Sequence, residues 1–201
     1  MTTPDHLAAL RESRLRAALA DAESGQIIRD AARAGLPATA IAEASGYSLS
    51  STRAVARAVK GKAPVALHRL ISPPMDTSTG DWAELPIPEG FQARLDAALD
   101  AAGVDGAGPG WRALLMIDLG PGGGAELHAA FSPDQGTDPA PSDEWEMSDW
   151  IERDDDDGEI VAVHLTEPVE SDADGVPLPE SIRTAAIRLL ARYRADAYAE
   201  D

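Results

Sequence analysis

Ala38-Thr39-Ala40-Ile41-Ala42-Glu43-Ala44-Ser45-Gly46-Tyr47-Ser48-Leu49-Ser50-Ser51-Thr52-Arg53-Ala54-Val55-Ala56-Arg57 contains a single glycine, with apolar residues at helical spacing on either side of it. Glycine enters left-handed backbone at little cost, so Gly46 can end one helix and start a turn. Ala42 is small where the two flanking helices must touch, and Ile41, Tyr47, Leu49, Thr52, Val55 and Val59 supply apolar contacts inside the angle. Ser48 stands one position before the second helix, where its side chain can accept a hydrogen bond from the free N–H groups of the first turn. Gly61 closes that helix.

Working outward, Leu7, Ala8, Leu15, Ala18, Leu19 and Ala22 share one helical stripe, with Arg11, Glu12, Arg14 and Arg16 mostly away from it. This spacing predicts a helix from about Pro4 to Glu23, a stop or bend at Ser24-Gly25, and a second helix carrying Ile27, Ile28 and Ala31 that ends near Gly35. From Lys62 to Glu89 the period is lost and prolines enter at 64, 73, 74, 86 and 88, the mark of a linker, within which Val65–Ile71 is a candidate short helix. Beyond it the pattern predicts a helix at Phe91–Ala102 and a buried strand at Trp111–Leu119. A glycine turn at Gly120–Gly124 then makes a hairpin with Glu126–Phe131. Trp145–Ile151 and Glu159–Leu165 read as strands around an acidic turn at Asp154–Gly158, and a helix from Pro179 to Ala199 closes the chain. The expected class is α+β, with an all-helical domain at 1–70, a linker at 71–88, and a small antiparallel sheet covered by helices at 89–201.

The formal charge is -18, and it is unevenly divided. Residues 1–70 hold ten Lys/Arg against six acids, whereas the remainder holds seven basic and twenty-nine acidic residues. Such asymmetry between halves points to two parts with different partners. The absence of cysteine excludes disulfides, zinc–thiolate sites and thiol nucleophiles together. No apolar run approaches the roughly 20 residues that cross a bilayer, and Met1–Leu10 lacks the order of a secretion signal, so a soluble, cytoplasmic protein with no membrane partner is expected.

In this setting Gly35-Leu36-Pro37, followed by Ile41-Ala42-Glu43-Ala44-Ser45-Gly46-Tyr47-Ser48 and Ser50-Ser51-Thr52, resembles the helix-turn-helix superfamily of bacterial transcription regulators. The likeness covers the first third of the chain and singles out no subfamily. It departs from the usual pattern at Ser45 and Thr52, where aliphatic side chains are common. The resemblance implies a helix-turn-helix domain whose recognition helix spans about Leu49–Lys60 and enters the major groove of double-stranded DNA. Its candidate DNA-binding residues are Ser48, Ser50, Ser51, Arg53, Arg57 and Lys60. Arg53 is the first choice for a base contact, because a guanidinium can bridge guanine O6 and N7. The serines near the helix start suit phosphate or base edges, and Arg57 and Lys60 suit phosphate. The plainer reading is a three-helix unit that serves protein contact, its arginines merely solvated.

The expected function is therefore sequence-specific transcription regulation. A homodimer on paired half-sites would offset the small positive balance of the helical part, and the acidic domain would serve dimerisation, sensing or partner binding. Two other readings compete: an interaction protein of phage or plasmid type whose acidic domain engages a basic host protein, or a DNA-packaging or partition adaptor.

Other signals carry less. In the acid-rich stretch Asp134–Asp174 a calcium loop fails on spacing. With Gly158 at the sixth position the first is Arg153 and the twelfth His164; with Gly175 there the twelfth is Ser181, where a bidentate glutamate is needed. A solvated acidic face, or a surface for a basic protein partner, remains. Gly120–Gly124 lacks the lysine and hydroxyl of a phosphate-binding loop. His128 and His164 have no second ligand at metal spacing, so no metal or cofactor is expected. No Ser-His-Asp order or paired-carboxylate motif marks an enzyme. Trp111, Trp145 and Trp150 are expected to fill a small core, a ligand pocket beneath the sheet being the other use open to them.

Overall fold

The first 31-residue element exceeds the helix expected from the sequence. In the computed structural model, which describes residues 3–76, 83–133, 149–153 and 159–196, α1 runs unbroken over Thr3–Arg33. Ser24 and Gly25 do not stop it. The Ser24 hydroxyl donates to the Ala20 carbonyl at 2.8 Å, so the serine is satisfied inside the helix. Two residues later the buried Gln26 donates to Asp30 at 3.0 Å and accepts from Arg29 at 2.6 Å. These bonds carry the helix past the glycine, whose intrinsic cost in a helix interior is only about 1 kcal/mol.

α2 (Ala38–Ser45) and α3 (Leu49–Val59) follow. Then come β1 (His68–Ser72), β2 (Met75–Asp76), β3 (Ala83–Glu84), α4 (Phe91–Ala102), β4 (Ala107–Gly108), β5 (Trp111–Asp118), β6 (Ala125–Phe131), β7 (Trp150–Arg153), β8 (Ile160–Val169) and α5 (Pro179–Asp196). The described chain is thus mixed α/β, with five helices and a mostly antiparallel sheet in the order β1-β5-β6-β8-β7, β4 also pairing with β5. The chain divides into two compact units, Met1–Pro64 with Leu190–Asp201, and Val65–Leu189.

In the second unit, β5 and β6 form the expected hairpin, Trp111 opposite Phe131 and Ile117 opposite Ala125. β8 adds to the far side of β6, and β7 to β8. The departure is β1. The segment read as linker or short helix is a strand, and it pairs parallel to β5 with His68 opposite Leu114. A parallel pair needs a long crossover, which the stretch containing α4 provides. The prolines at 64, 73 and 74 bracket the strand rather than mark a loop. Of the residues expected to form a strand around Trp145, those from Trp150 do so; Trp145 and the acidic turn at 154–158 lie outside the described residues.

Alternation along β5 and β6 sets Leu115, Ile117 and Leu127, all at most 2% exposed, on one face of the sheet. α4 buries Phe91, Leu95, Ala98 and Ala102, and α5 buries Ile182, Ala185 and Leu189. The Arg183 guanidinium donates to the Ala102 carbonyl at 3.3 Å, joining α5 to the end of α4. Arg94 on α4 pairs with Asp174 at 2.7 Å and with Asp172.

Candidate nucleic-acid interface

The corner between α2 and α3 is built from backbone outward. Gly46 sits at φ 74°, and its N–H closes α2 on the Ala42 carbonyl at 3.0 Å. A residue bearing Cβ would be strained there, which is why this position is a glycine. Ser48 then adopts extended backbone and accepts the Ser51 N–H at 3.1 Å, capping α3. Its hydroxyl also lies 2.9 Å from that of Ser50 and 2.8 Å from that of Ser51. Ser48 is therefore committed to the helix start.

Inside the angle, Ile28, Ala32, Ile41 and Val59 form a buried cluster, with Ala31, Tyr47, Val55 and Ala56 packed against it. Thr52, which departs from the aliphatic pattern, is 1% exposed. Its hydroxyl donates to the Ser48 carbonyl at 3.0 Å, so the buried oxygen is satisfied and the methyl is left to pack. Ser45 accepts the Tyr47 N–H at 3.3 Å, a turn bond that an aliphatic residue would not make.

Tyr47 carries a contact beyond the apolar one expected of it. Its hydroxyl donates to Asp21 of α1, and Arg194 pairs with the same carboxylate. Donation to Asp21 pushes the Tyr47 pKa above its ordinary value, burial and the carboxylate's charge acting in the same direction. The acid thus anchors the tyrosine of the corner. Only the pairing across 26 residues reveals it, since nothing in the spacing of Asp21 marks it out.

On α3, Thr52, Val55, Ala56 and Val59 face inward, and Ser50, Arg53, Ala54 and Arg57 occupy the opposite stripe. Ser48, Ser50, Ser51, Arg53, Arg57 and Lys60 are all exposed. Lys60 follows the last helical residue, and its N–H bonds the Ala56 carbonyl at 2.9 Å. No described residue forms an ion pair with Arg53, Arg57 or Lys60. The structure thus brings four of the six candidates onto one helix and places the other two, Ser48 and Lys60, at its two ends.

The remaining signals fall in the second unit. His128 is 2% exposed and His164 4%, on neighbouring strands with His128 opposite Thr166 and His164 opposite Ala130. His128 Nε2 lies 3.4 Å from Glu126, and His164 Nε2 lies 3.1 Å from Glu152. Trp150 stacks on His164 with ring centres 4.0 Å apart, and Trp111 stacks on Phe131 at 6.4 Å. Among the described residues no group of three or more His, Asp or Glu is placed to hold a metal ion. No described helix is long and apolar enough to cross a membrane.

No protein-family model, no curated protein and no solved structure matches this chain.

Proposed function

We propose that this chain is a DNA-binding transcription regulator whose N-terminal helices form a helix-turn-helix domain and whose α3 lies in the major groove. One observation carries the reading. The helix that the glycine corner sets at an angle buries one stripe and turns three cations and two hydroxyls to solvent, the cations without carboxylate partners among the described residues. Cations held in ion pairs would have to break them before meeting phosphate; these need not.

In this reading Arg53 bridges guanine O6 and N7, Ser50 and Ser51 touch phosphate or base edges, and Arg57 and Lys60 touch phosphate. Ser48 acts through the helix start, as a cap that holds the serines in place. A positive balance this small suits binding as a homodimer, two recognition helices one helical turn of DNA apart. The acidic half then keeps away from the duplex and meets other partners.

Affinity for random duplex, measured between about 50 and 200 mM salt, should fall steeply, because each neutralised phosphate releases a counterion. Arg53→Ala should flatten sequence preference, with about 1–3 kcal/mol lost at one base position. Lys60→Ala should weaken all sequences alike and reduce the salt slope by about one. Salt-independent binding, or no binding at low salt, refutes the proposal.

A further inference from the structure

We propose that an open cleft across the strand ends of the second unit docks a basic, apolar-anchored peptide segment of another protein, Glu84 and Glu126 receiving its cations and Met75, Met116 and Pro168 its apolar side chains. The site does not rest on the DNA reading. The cleft has a volume of about 790 Å³, and Glu84, Asp118 and Glu126 line it together with apolar residues and, among the described residues, no Lys or Arg.

Its geometry follows from register. Leu70, Met116, Glu126 and Pro168 are successive partners across β1, β5, β6 and β8, so they form one row on one face of the sheet. Leu70 is 50% exposed and Pro168 is also exposed, so this row is an open apolar surface interrupted by a carboxylate. Met75 pairs with Glu84 across the β2–β3 ribbon and repeats the combination at the wall. At one end the glycine turn closes tightly. A Cβ on Gly123 would stand 2.4 Å from the Asp118 carbonyl oxygen, and the Gly120 N–H is held by the Asp118 side chain at 2.8 Å.

The occupant follows from charge and length. An apolar floor with acidic walls rewards a ligand that buries a hydrocarbon side chain while placing cations on either side. His128, near Glu126, is pushed down by burial and does not neutralise that carboxylate at pH 7. The acidic part of a second copy, with seven basic and twenty-nine acidic residues beyond position 70, is repelled from this cleft, and the proposed homodimer is left to form elsewhere. Four strands at a spacing of about 4.8 Å make a row about 14 Å long, room for about four extended residues.

The test uses the full chain and a fluorescein-labelled octapeptide of alternating lysine and leucine, read by anisotropy at low salt. This peptide should bind at least about tenfold tighter than lysine/serine and glutamate/leucine octapeptides. Glu84→Lys with Glu126→Lys should weaken it by about tenfold or more, and Glu84→Lys alone, at an exposed position, by less but without change in thermal unfolding. Asp100→Lys, the same charge change at an exposed position of α4 outside the cleft, should leave affinity within about twofold. Equal binding of the lysine/serine peptide would reduce the effect to diffuse charge attraction, and retained affinity in both cleft variants would place binding elsewhere; either overturns the proposal. So would self-association that Glu84→Lys abolishes, since it assigns the cleft to a second copy.

Discussion

The α2–α3 corner and the sheet of the second unit solve the same problem at opposite ranges. The corner is fixed within a short stretch of chain: a left-handed glycine, a serine cap and a back-bonded threonine stand within seven positions of one another. The sheet is fixed by partners far apart, His68 beside Leu114 and Ala125 beside Val169. Local devices leave one face of α3 free for solvent and cations. Long-range pairing instead consumes the strands' inner face, and function in the second unit is left to its strand ends and loops. Breaking one residue in each region should therefore give effects of different size and reach.

The largest effect is expected from Leu115→Ala. Leu115 is 0% exposed at the centre of β5, and removing a buried leucine side chain costs about 2–5 kcal/mol. All four tryptophans fall within Val65–Leu189, so their fluorescence reports unfolding of that unit alone. The tryptophan transition should move to lower denaturant, while amide exchange in α2 and α3 keeps its protection. An equal loss of protection in α2 and α3 would merge the two regions into one cooperative block.

The corner should respond less. Gly46→Ala forces a Cβ into left-handed backbone at about 1–2 kcal/mol, and Ser48→Ala removes the cap of α3 for about 1 kcal/mol. Both should raise exchange in α3 without moving the tryptophan transition, and on the proposed function they should also lower DNA affinity. A tryptophan shift as large as that of Leu115→Ala would end the distinction between local and long-range construction.

The same distinction explains what was legible in the sequence. The bounds of α3 and α4, the β5–β6 hairpin and the start of α5 follow from period, caps and turn glycines, all local signals. The outward stripe of Arg53 and Arg57 is equally local, being the complement of the apolar one. β1 was hidden because its exposure hardly alternates and its partner, β5, lies beyond an intervening helix. The full length of α1 is not legible because Ser24-Gly25 is a stop signal in isolation, and the bonds around Gln26 that override it depend on which side chains meet in the folded helix. The cleft was illegible for a similar reason. Met75, Glu84, Met116, Glu126 and Pro168 come from five strands, and only register assembles them.

The smallest effect is one proton's worth, and it should also separate the regions. His128 is buried on β6, and burial lowers its pKa below the ordinary 6.5. Glu126 and Asp149 oppose that shift and His164 reinforces it, so burial prevails. In the unfolded chain the ring takes a proton as pH falls through about 6.5, whereas the folded protein resists protonation until lower pH. The unfolded state then binds more protons, and stability increases with pH over that interval. The stabilisation is complete above about pH 6.5 and is lost progressively below it. The tryptophan transition measured between about pH 7 and 5 should therefore weaken toward acid, above the range where ordinary carboxylates titrate. His128→Gln should flatten that slope while the exchange of α2 and α3 stays the same, since the first unit has only His6, which is exposed. A slope unchanged in His128→Gln would remove His128 as its source; a slope of opposite sign would mean that Glu126 and Asp149 outweigh burial and hold the ring charged.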